Sequence, residues 1–220
     1  MCGIFGSNNF SKFVSLYDIN KQRGYFSFGM LGARKDNNSL YIKKQPGEIN
    51  LDQLPSHVEH EHQLFLGHTQ APTSQERNYT TTTSHPFESQ SWIIAHNGII
   101  NNYDSLKNEH TSNHTNPVDS SIIPVLLEKN THDDILETLE KTFSLIKGLV
   151  GAWCYNKRTG RCFLVRMGST LYITNNDQTF SSIKLEGLKI MPDNSIYEIC
   201  DHGIIPQVNL QNNTSFFTID

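Results

Sequence analysis

Charge, cysteine and long apolar runs are all scarce in this chain. Only 18% of its 220 residues are Asp, Glu, Lys or Arg, and the net charge is −4. Nucleic-acid binders carry a basic stripe or patch, so this balance argues against that class of partner. No stretch approaches the roughly 18 apolar residues of a membrane span, and no membrane partner is expected. The N-terminus lacks the basic and apolar segments of a signal peptide. The four cysteines, Cys2, Cys154, Cys162 and Cys200, are scattered and contain no C-x-x-C pair, which leaves neither a zinc nor a disulfide framework. A cytoplasmic protein with reduced thiols is the reading that remains. At this length a chain buries about 70% of its unfolded surface, so one domain over residues 1–220 needs no staples.

One cysteine stands out by position. "MCGIFG" puts Cys2 directly behind the initiator methionine. If Met1 is removed, Cys2 carries a thiol nucleophile and an α-amino base on a single residue. The amine titrates near pH 8 and the thiol near about 8.5, so the amine can take and return protons through a water. No separate histidine is then required.

The remaining pattern is strands, then helices, then strands. "CGIFGS", "YFSFGMLGAR", "SLYIKK", "HQLFLGHT" and "SWIIAHNG" read as strands. "FSKFVSLYDINKQRG" has Phe10, Phe13, Val14 and Tyr17 at helical spacing, with Gly24 as a candidate C-cap. "APTSQERNYTTTTSHP" is a polar loop, with "TTTT" at 80–83 extended. "PVDSSIIPVLLEKN" and "THDDILETLEKTFSLIKG" are helical, with Thr131 and Asp134 as a capping pair and Gly148 closing the segment. From Leu149 the period becomes two, with a hairpin around "KRTG". This order favours a layered α+β domain.

"AHNGIIN" supplies a candidate oxyanion hole. Asn97 offers a side-chain amide and Gly98 a backbone N–H where glycine permits close approach. The same pair is also a common hairpin signal.

Taken in order, these motifs resemble the glutaminase domain of class II glutamine amidotransferases, most nearly the one that heads glucosamine-6-phosphate synthase. "MCGIFG", "QRGYFSFG", "LGHTQAPT", "AHNGIINN", "VDSSIIPVLLE", "GAW" and "RMGSTLYI" are similar to the family's motifs in the family's order. The resemblance implies a four-layer αββα sandwich of the N-terminal-nucleophile hydrolase type. It implies hydrolysis of the glutamine side-chain amide through a γ-glutamyl thioester, without a cofactor. Cys2 is then the nucleophile, Arg23 orders the N-terminus, and Asn97 and Gly98 hold the oxyanion. Asp119 binds the α-ammonium of glutamine. Thr73 and His85 lie in the loop that folds over glutamine, and His68 and Thr69 end the strand that carries the carboxylate grip.

At that grip the chain departs from the family. The arginine that usually follows His-Thr is Gln70 here. Losing a charge-assisted pair costs on the order of 2–5 kcal/mol. Arg77, in the same loop, is a candidate replacement. The alternatives are another γ-glutamyl or small amide substrate, or a non-catalytic regulatory subunit of this fold. The sequence also ends near the family's domain boundary, so a separately encoded synthase or synthetase is the expected acceptor of ammonia.

Weaker signals remain. His57, His60 and His62 lie in a polar stretch where His60 and His62 would share a strand face, a thin basis for a metal site. Cys154 and Cys162 flank the hairpin as candidate cross-strand neighbours and are read as two buried thiols.

Overall fold

The period-two stretch behind Cys2 forms strand β1 (Gly3–Ser7), buried along its whole length. The computed structural model describes residues 2–34, 39–71, 78–110, 114–174 and 177–210. Asn9 caps helix α1 (Phe10–Asn20), its side chain accepting from the Lys12 N–H at 2.8 Å. A 3₁₀ turn, Lys21–Arg23, extends that helix. Strands β2 (Ser27–Ala33) and β3 (Leu40–Pro46), the short helix α2 (Ser56–Glu61) and strand β4 (Leu64–Gln70) follow. After the polar loop come β5 (Phe87–Glu88), β6 (Trp92–Ile100) and helix α3 (Tyr103–His110). A 3₁₀ turn, Asp119–Ser121, leads into α4 (Ile122–Lys129), then α5 (Ile135–Leu145). The rest is strand: β7 (Gly148–Asn156), β8 (Cys162–Met167), β9 (Tyr172–Ile173), β10 (Phe180–Ser181), β11 (Lys189–Ile190), β12 (Ser195–Cys200) and β13 (Gly203–Asn209).

Two antiparallel sheets result. The first runs β11-β9-β10-β1-β4-β2-β3 and the second β13-β12-β8-β7-β6-β5. Alternation along each strand divides the apolar residues between two faces. Ile4, Leu31, Leu66, Ile93, Ala95, Trp153 and Leu164 meet between the sheets. Phe5, Phe28, Met30 and Phe65 turn outward against α1, taking Phe13 and Tyr17 as partners. Ile94, Cys154 and Val165 turn outward on the other side, against Ile122, Leu126, Leu139 and Phe143 of α4 and α5. The order helix, sheet, sheet, helix is the four-layer αββα sandwich expected from the sequence.

Several local expectations change. Asn97-Gly98 is not a turn: β6 continues through it to Ile100, paired with β7 at Gly98↔Val150 and Ile100↔Gly148. Gly24 is extended, not a left-handed cap, with φ 171°. A side chain there would strike the Ala71 backbone nitrogen at 2.3 Å. Asp134 does cap α5, but Thr131 does not pair with it; its hydroxyl donates to the Leu127 and Glu128 carbonyls at the end of α4. Gly148 opens β7, with φ +144°. Residues 81–83 form a turn, held by Thr80 and Thr83 hydroxyls. His57 and His60 lie on α2, and His62 bonds back to the Val58 carbonyl, so the two-ligand strand face does not form. Cys154 and Cys162 are offset by one register step, Cys154↔Phe163 and Tyr155↔Cys162, and point to opposite faces of the sheet. Helix α3 was not anticipated. Among the described residues no helix is long and apolar enough to cross a membrane.

Candidate active site

Register fixes the surroundings of Cys2. β1 pairs with β4 at Gly3↔Thr69 and Ile4↔His68, which sets Cys2 beside Gln70. Ile4 faces the space between the sheets, so Cys2, two residues earlier, faces it too. The thiol is buried and lies 3.8 Å from the Ala71 carbonyl oxygen, to which it donates weakly. Among the cysteines Cys154 and Cys162 are also fully buried, in apolar surroundings that push their pKa values up.

Arg23 arrives at the end of the turn that follows α1. Its Nη1 donates to the Ser182 carbonyl at 2.7 Å and to the Thr170 hydroxyl at 3.1 Å. Burial lowers its pKa, and the electrostatic influence of the nearby Cys2 is the first to oppose that shift. An arginine in this setting stays cationic. Its buried Nη2 makes no hydrogen bond among the described residues.

Asn97 enters from the other sheet. Ala95 faces the intersheet core, and Asn97, two residues on, shares that face. It is fully buried. Its Nδ2 donates to the Ser169 hydroxyl at 3.2 Å, and that hydroxyl donates to the Asn97 main-chain oxygen at 3.0 Å. Gly98 follows with φ +156°, where a Cβ would lie 1.8 Å from the Leu149 oxygen. Only glycine fits.

Asp119 closes the far end of β6. Its carboxylate accepts the Ile100 N–H at 2.9 Å and the Ser120 N–H at 2.8 Å. Behind it His96 is fully buried, its pKa lowered by desolvation and partly restored by Asp119. Its Nε2 lies 3.0 Å from the Leu149 oxygen and its Nδ1 2.8 Å from the Ser120 hydroxyl. A carbonyl can only accept, so Nε2 carries a proton, while the one Ser120 hydroxyl proton is shared between Nδ1 at 2.8 Å and the Asp119 carboxylate at 3.2 Å.

Gln70 is fully buried, and its Oε1 accepts from the Ser27 hydroxyl at 2.8 Å. His68 and His85 stack with ring centroids 3.8 Å apart, His85 meeting Phe87 edge-on at 4.6 Å. Thr69 points the opposite way: its hydroxyl donates to the Asn20 carbonyl at 2.9 Å, on the α1 side of the sheet. At the Gln70 end of β4 the structure therefore turns Cys2 and Gln70 toward the space between the sheets, with Arg23 near Cys2 and His85 against His68; Asn97 faces that space from the other sheet, Asp119 sits beside Ile100 at the end of β6, and the Thr69 side chain turns away. Thr73 and Arg77 lie outside the described residues. A cavity of about 550 Å³ at the opposite end, lined by Asn8, Leu64, Gln178 and Cys200 among others, includes none of these site residues.

Sequence reasoning gave no individual role to Ser27, His96, Ser120, Ser169 or Thr170, although they lie inside the motifs "QRGYFSFG", "AHNGIINN", "VDSSIIPVLLE" and "RMGSTLYI".

An αββα sandwich with an N-terminal cysteine at the strand end is the architecture of N-terminal-nucleophile hydrolases. A model of the glutamine amidotransferase domain matches residues 77–185. Glutamine–fructose-6-phosphate aminotransferase of Caldanaerobacter subterraneus is 36% identical over 158 residues, covering 67% of this chain and 25% of that protein. The enzyme of the same name from Francisella tularensis is 28% identical over 225 residues, covering 96% and 36%. The solved glutamine phosphoribosylpyrophosphate amidotransferase of B. subtilis superposes with a TM-score of 0.76 at 16% identity, over 96% of this chain and 50% of that one. The last likeness shows the fold. The chain belongs to the class II glutamine amidotransferase family. It spans a quarter to just over a third of the two curated relatives' length.

Proposed function

We propose that the chain hydrolyses the side-chain amide of glutamine and supplies the ammonia to an acceptor reaction carried out by a separate synthase or synthetase. What supports this reading is strand alternation, which turns both Cys2 and Asn97 toward the space between the two sheets, one from each sheet.

After removal of Met1, the Cys2 thiol passes its proton to its own α-amino group through a water. The thiolate adds to the amide carbon, and the negative charge that develops on oxygen meets Asn97 Nδ2 and the Gly98 N–H. The C–N bond breaks as the α-ammonium returns its proton to the leaving nitrogen, and ammonia departs. Water then adds to the γ-glutamyl thioester and releases glutamate, restoring the thiol. Arg23 supplies positive charge beside the sulfur. Asp119 takes the substrate α-ammonium, where opposite charge gives the attraction. Gln70 meets the α-carboxylate with a neutral amide, flanked by the stacked His68 and His85; Thr73 and Arg77 are assigned to the loop that covers the substrate. The thiol chemistry suits a reducing, cytoplasmic compartment.

Gln70 also favours a second reading. A buried neutral amide suits a neutral group better than a carboxylate, so an amide whose substrate lacks that charge is the alternative.

The test is glutamate release from glutamine by purified protein whose intact mass shows loss of Met1. Cys2→Ala should abolish release while leaving the thermal unfolding transition in place. Full activity with Met1 retained would overturn the N-terminal mechanism. Turnover of amides lacking an α-carboxylate, without turnover of glutamine, would establish the alternative.

A further inference from the structure

Asn97 can act as an oxyanion donor only if its amide is turned the right way, and the hydrogen-bond inventory shows what turns it. The Ser169 hydroxyl has one proton, and that proton goes to the Asn97 main-chain oxygen at 3.0 Å. Toward the Asn97 side chain at 3.2 Å it can therefore only accept. Nδ2, and not Oδ1, must face Ser169. The second Nδ2 proton is left for another acceptor, and buried Oδ1 has no hydrogen-bond partner among the described residues.

Ser169 is itself held rigidly. It follows Gly168, whose φ is +70°, and its N–H donates to the Met167 carbonyl at 2.9 Å. Its carbonyl accepts from Arg166 Nε at 2.7 Å. Room for the hydroxyl comes from the neighbouring strand. Gly151 is the register partner of Asn97, and a Cβ there would sit 3.3 Å from Ser169 Oγ.

We propose that Ser169 is a positioning residue for the oxyanion hole, fixing the Asn97 amide so that one Nδ2 proton is presented to the reacting oxygen. The assignment rests on the glutaminase reading above, and Ser169 acts through Asn97 without touching substrate.

Mature protein carrying Ser169→Ala should lose roughly 10- to 100-fold in kcat, less than deletion of the donor itself, with KM for glutamine nearly unchanged. Inhibition by glutamate γ-semialdehyde, whose thiohemiacetal presents an oxyanion to the hole, should weaken by a similar factor. Ser169→Thr, which keeps the hydroxyl, should restore most of kcat. In an Asn97→Ala background Ser169→Ala should cost nothing further. A kcat loss that adds in full to that of Asn97→Ala, or a wild-type kcat in Ser169→Ala, would overturn the proposal. A second readout is independent of turnover. In ¹⁵N-labelled protein the Asn97 side-chain signal, assigned by its absence in Asn97→Ala, should shift and lose solvent protection in Ser169→Ala. An unchanged signal would sink the proposal even if glutamine proves not to be the substrate. Absence of glutamate release by the wild type, with the signal shifted as expected, would count against the glutaminase reading alone.

Discussion

Arg23 reaches from the 3₁₀ turn after helix α1 to the Thr170 hydroxyl, 3.1 Å away, and the neighbouring residue of Thr170 is the Ser169 that holds Asn97. Two consecutive residues thus brace the cation beside the thiol and the donor on the opposite sheet. The guanidinium favours the Cys2 thiolate by opposite charge. Arg23→Gln should raise the midpoint of the pH profile for iodoacetamide alkylation of Cys2 by about 1 unit, equivalent to ~1.4 kcal/mol. Thr170→Val leaves the Ser182 carbonyl as the remaining anchor and should shift the midpoint less. An unmoved midpoint in Arg23→Gln would remove Arg23 from the electrostatics of the thiol.

The other three cysteines set the background for labelling. Cys154 and Cys162 are buried in apolar layers that hold their thiols protonated, and the partly buried Cys200 donates to the Gly203 carbonyl at 3.3 Å. A glutamine analogue bearing a diazoketone should modify Cys2 alone, as read by peptide mass mapping of the native protein. Labelling of Cys154, Cys162 or Cys200 in preference to Cys2 would defeat the assignment of the nucleophile.

Much of this site was legible because its parts are local in sequence. Cys2 is conspicuous at position 2, and Asn97-Gly98 and Asp119 sit in short recognisable strings. The Asn-Gly pair was misleading in one respect. Positive φ at glycine serves turns and strand irregularities alike, and only the pairing of Ile99 and Ile100 with β7 shows that the strand continues. Ser169 and Asn97 lie 72 positions apart, and a lone serine gives no sign of such a partner. His96 was read as part of a motif, but its bonds to Ser120 and Leu149 depend on how the helical layer docks. Helix α3 was missed because Tyr103 and Leu106 are the only large apolar residues in its eight, too few for a periodic signal.

His96 makes stability depend on pH. Its pKa is lowered in the folded state by burial, while the unfolded value is about 6.5. Above that pH the ring is neutral in both states and contributes no dependence. Below it the unfolded chain binds a proton that the folded chain refuses, so stability falls as pH falls, by at most ~1.4 kcal/mol per pH unit. Half-buried His114 is shifted in the same direction, by burial and then by Lys107, and adds to the slope. Melting temperatures should therefore drop between about pH 6.5 and 5 more steeply in the wild type than in His96→Gln. Parallel curves for the two proteins would show that His96 does not refuse the proton.

On the proposed function, Gln70 is the position at which substrates are told apart. It lies beside Cys2 on the same face of the sheet, fully buried, with its Oε1 taken by Ser27. If the substrate carries a free α-carboxylate, that charge meets a neutral amide, and replacing the amide by a guanidinium adds a charge-assisted contact. Gln70→Arg should then lower KM for glutamine by about tenfold, or ~1.4 kcal/mol, and leave kcat close to the wild-type value. If Arg77 already supplies the charge, Gln70→Arg should change KM little and Arg77→Ala should raise it. If the natural substrate lacks the carboxylate, neither substitution should improve use of glutamine, and glutamine α-amide should compete well with it. Ser27→Ala separates orientation from charge: it removes the Ser27 hydrogen bond to Oε1 of Gln70 and should raise KM in the wild-type background but not in Gln70→Arg, where no amide remains to be held. A KM for glutamine indifferent to all of these changes, with no competition by the α-amide, would mean that Gln70 does not face the substrate.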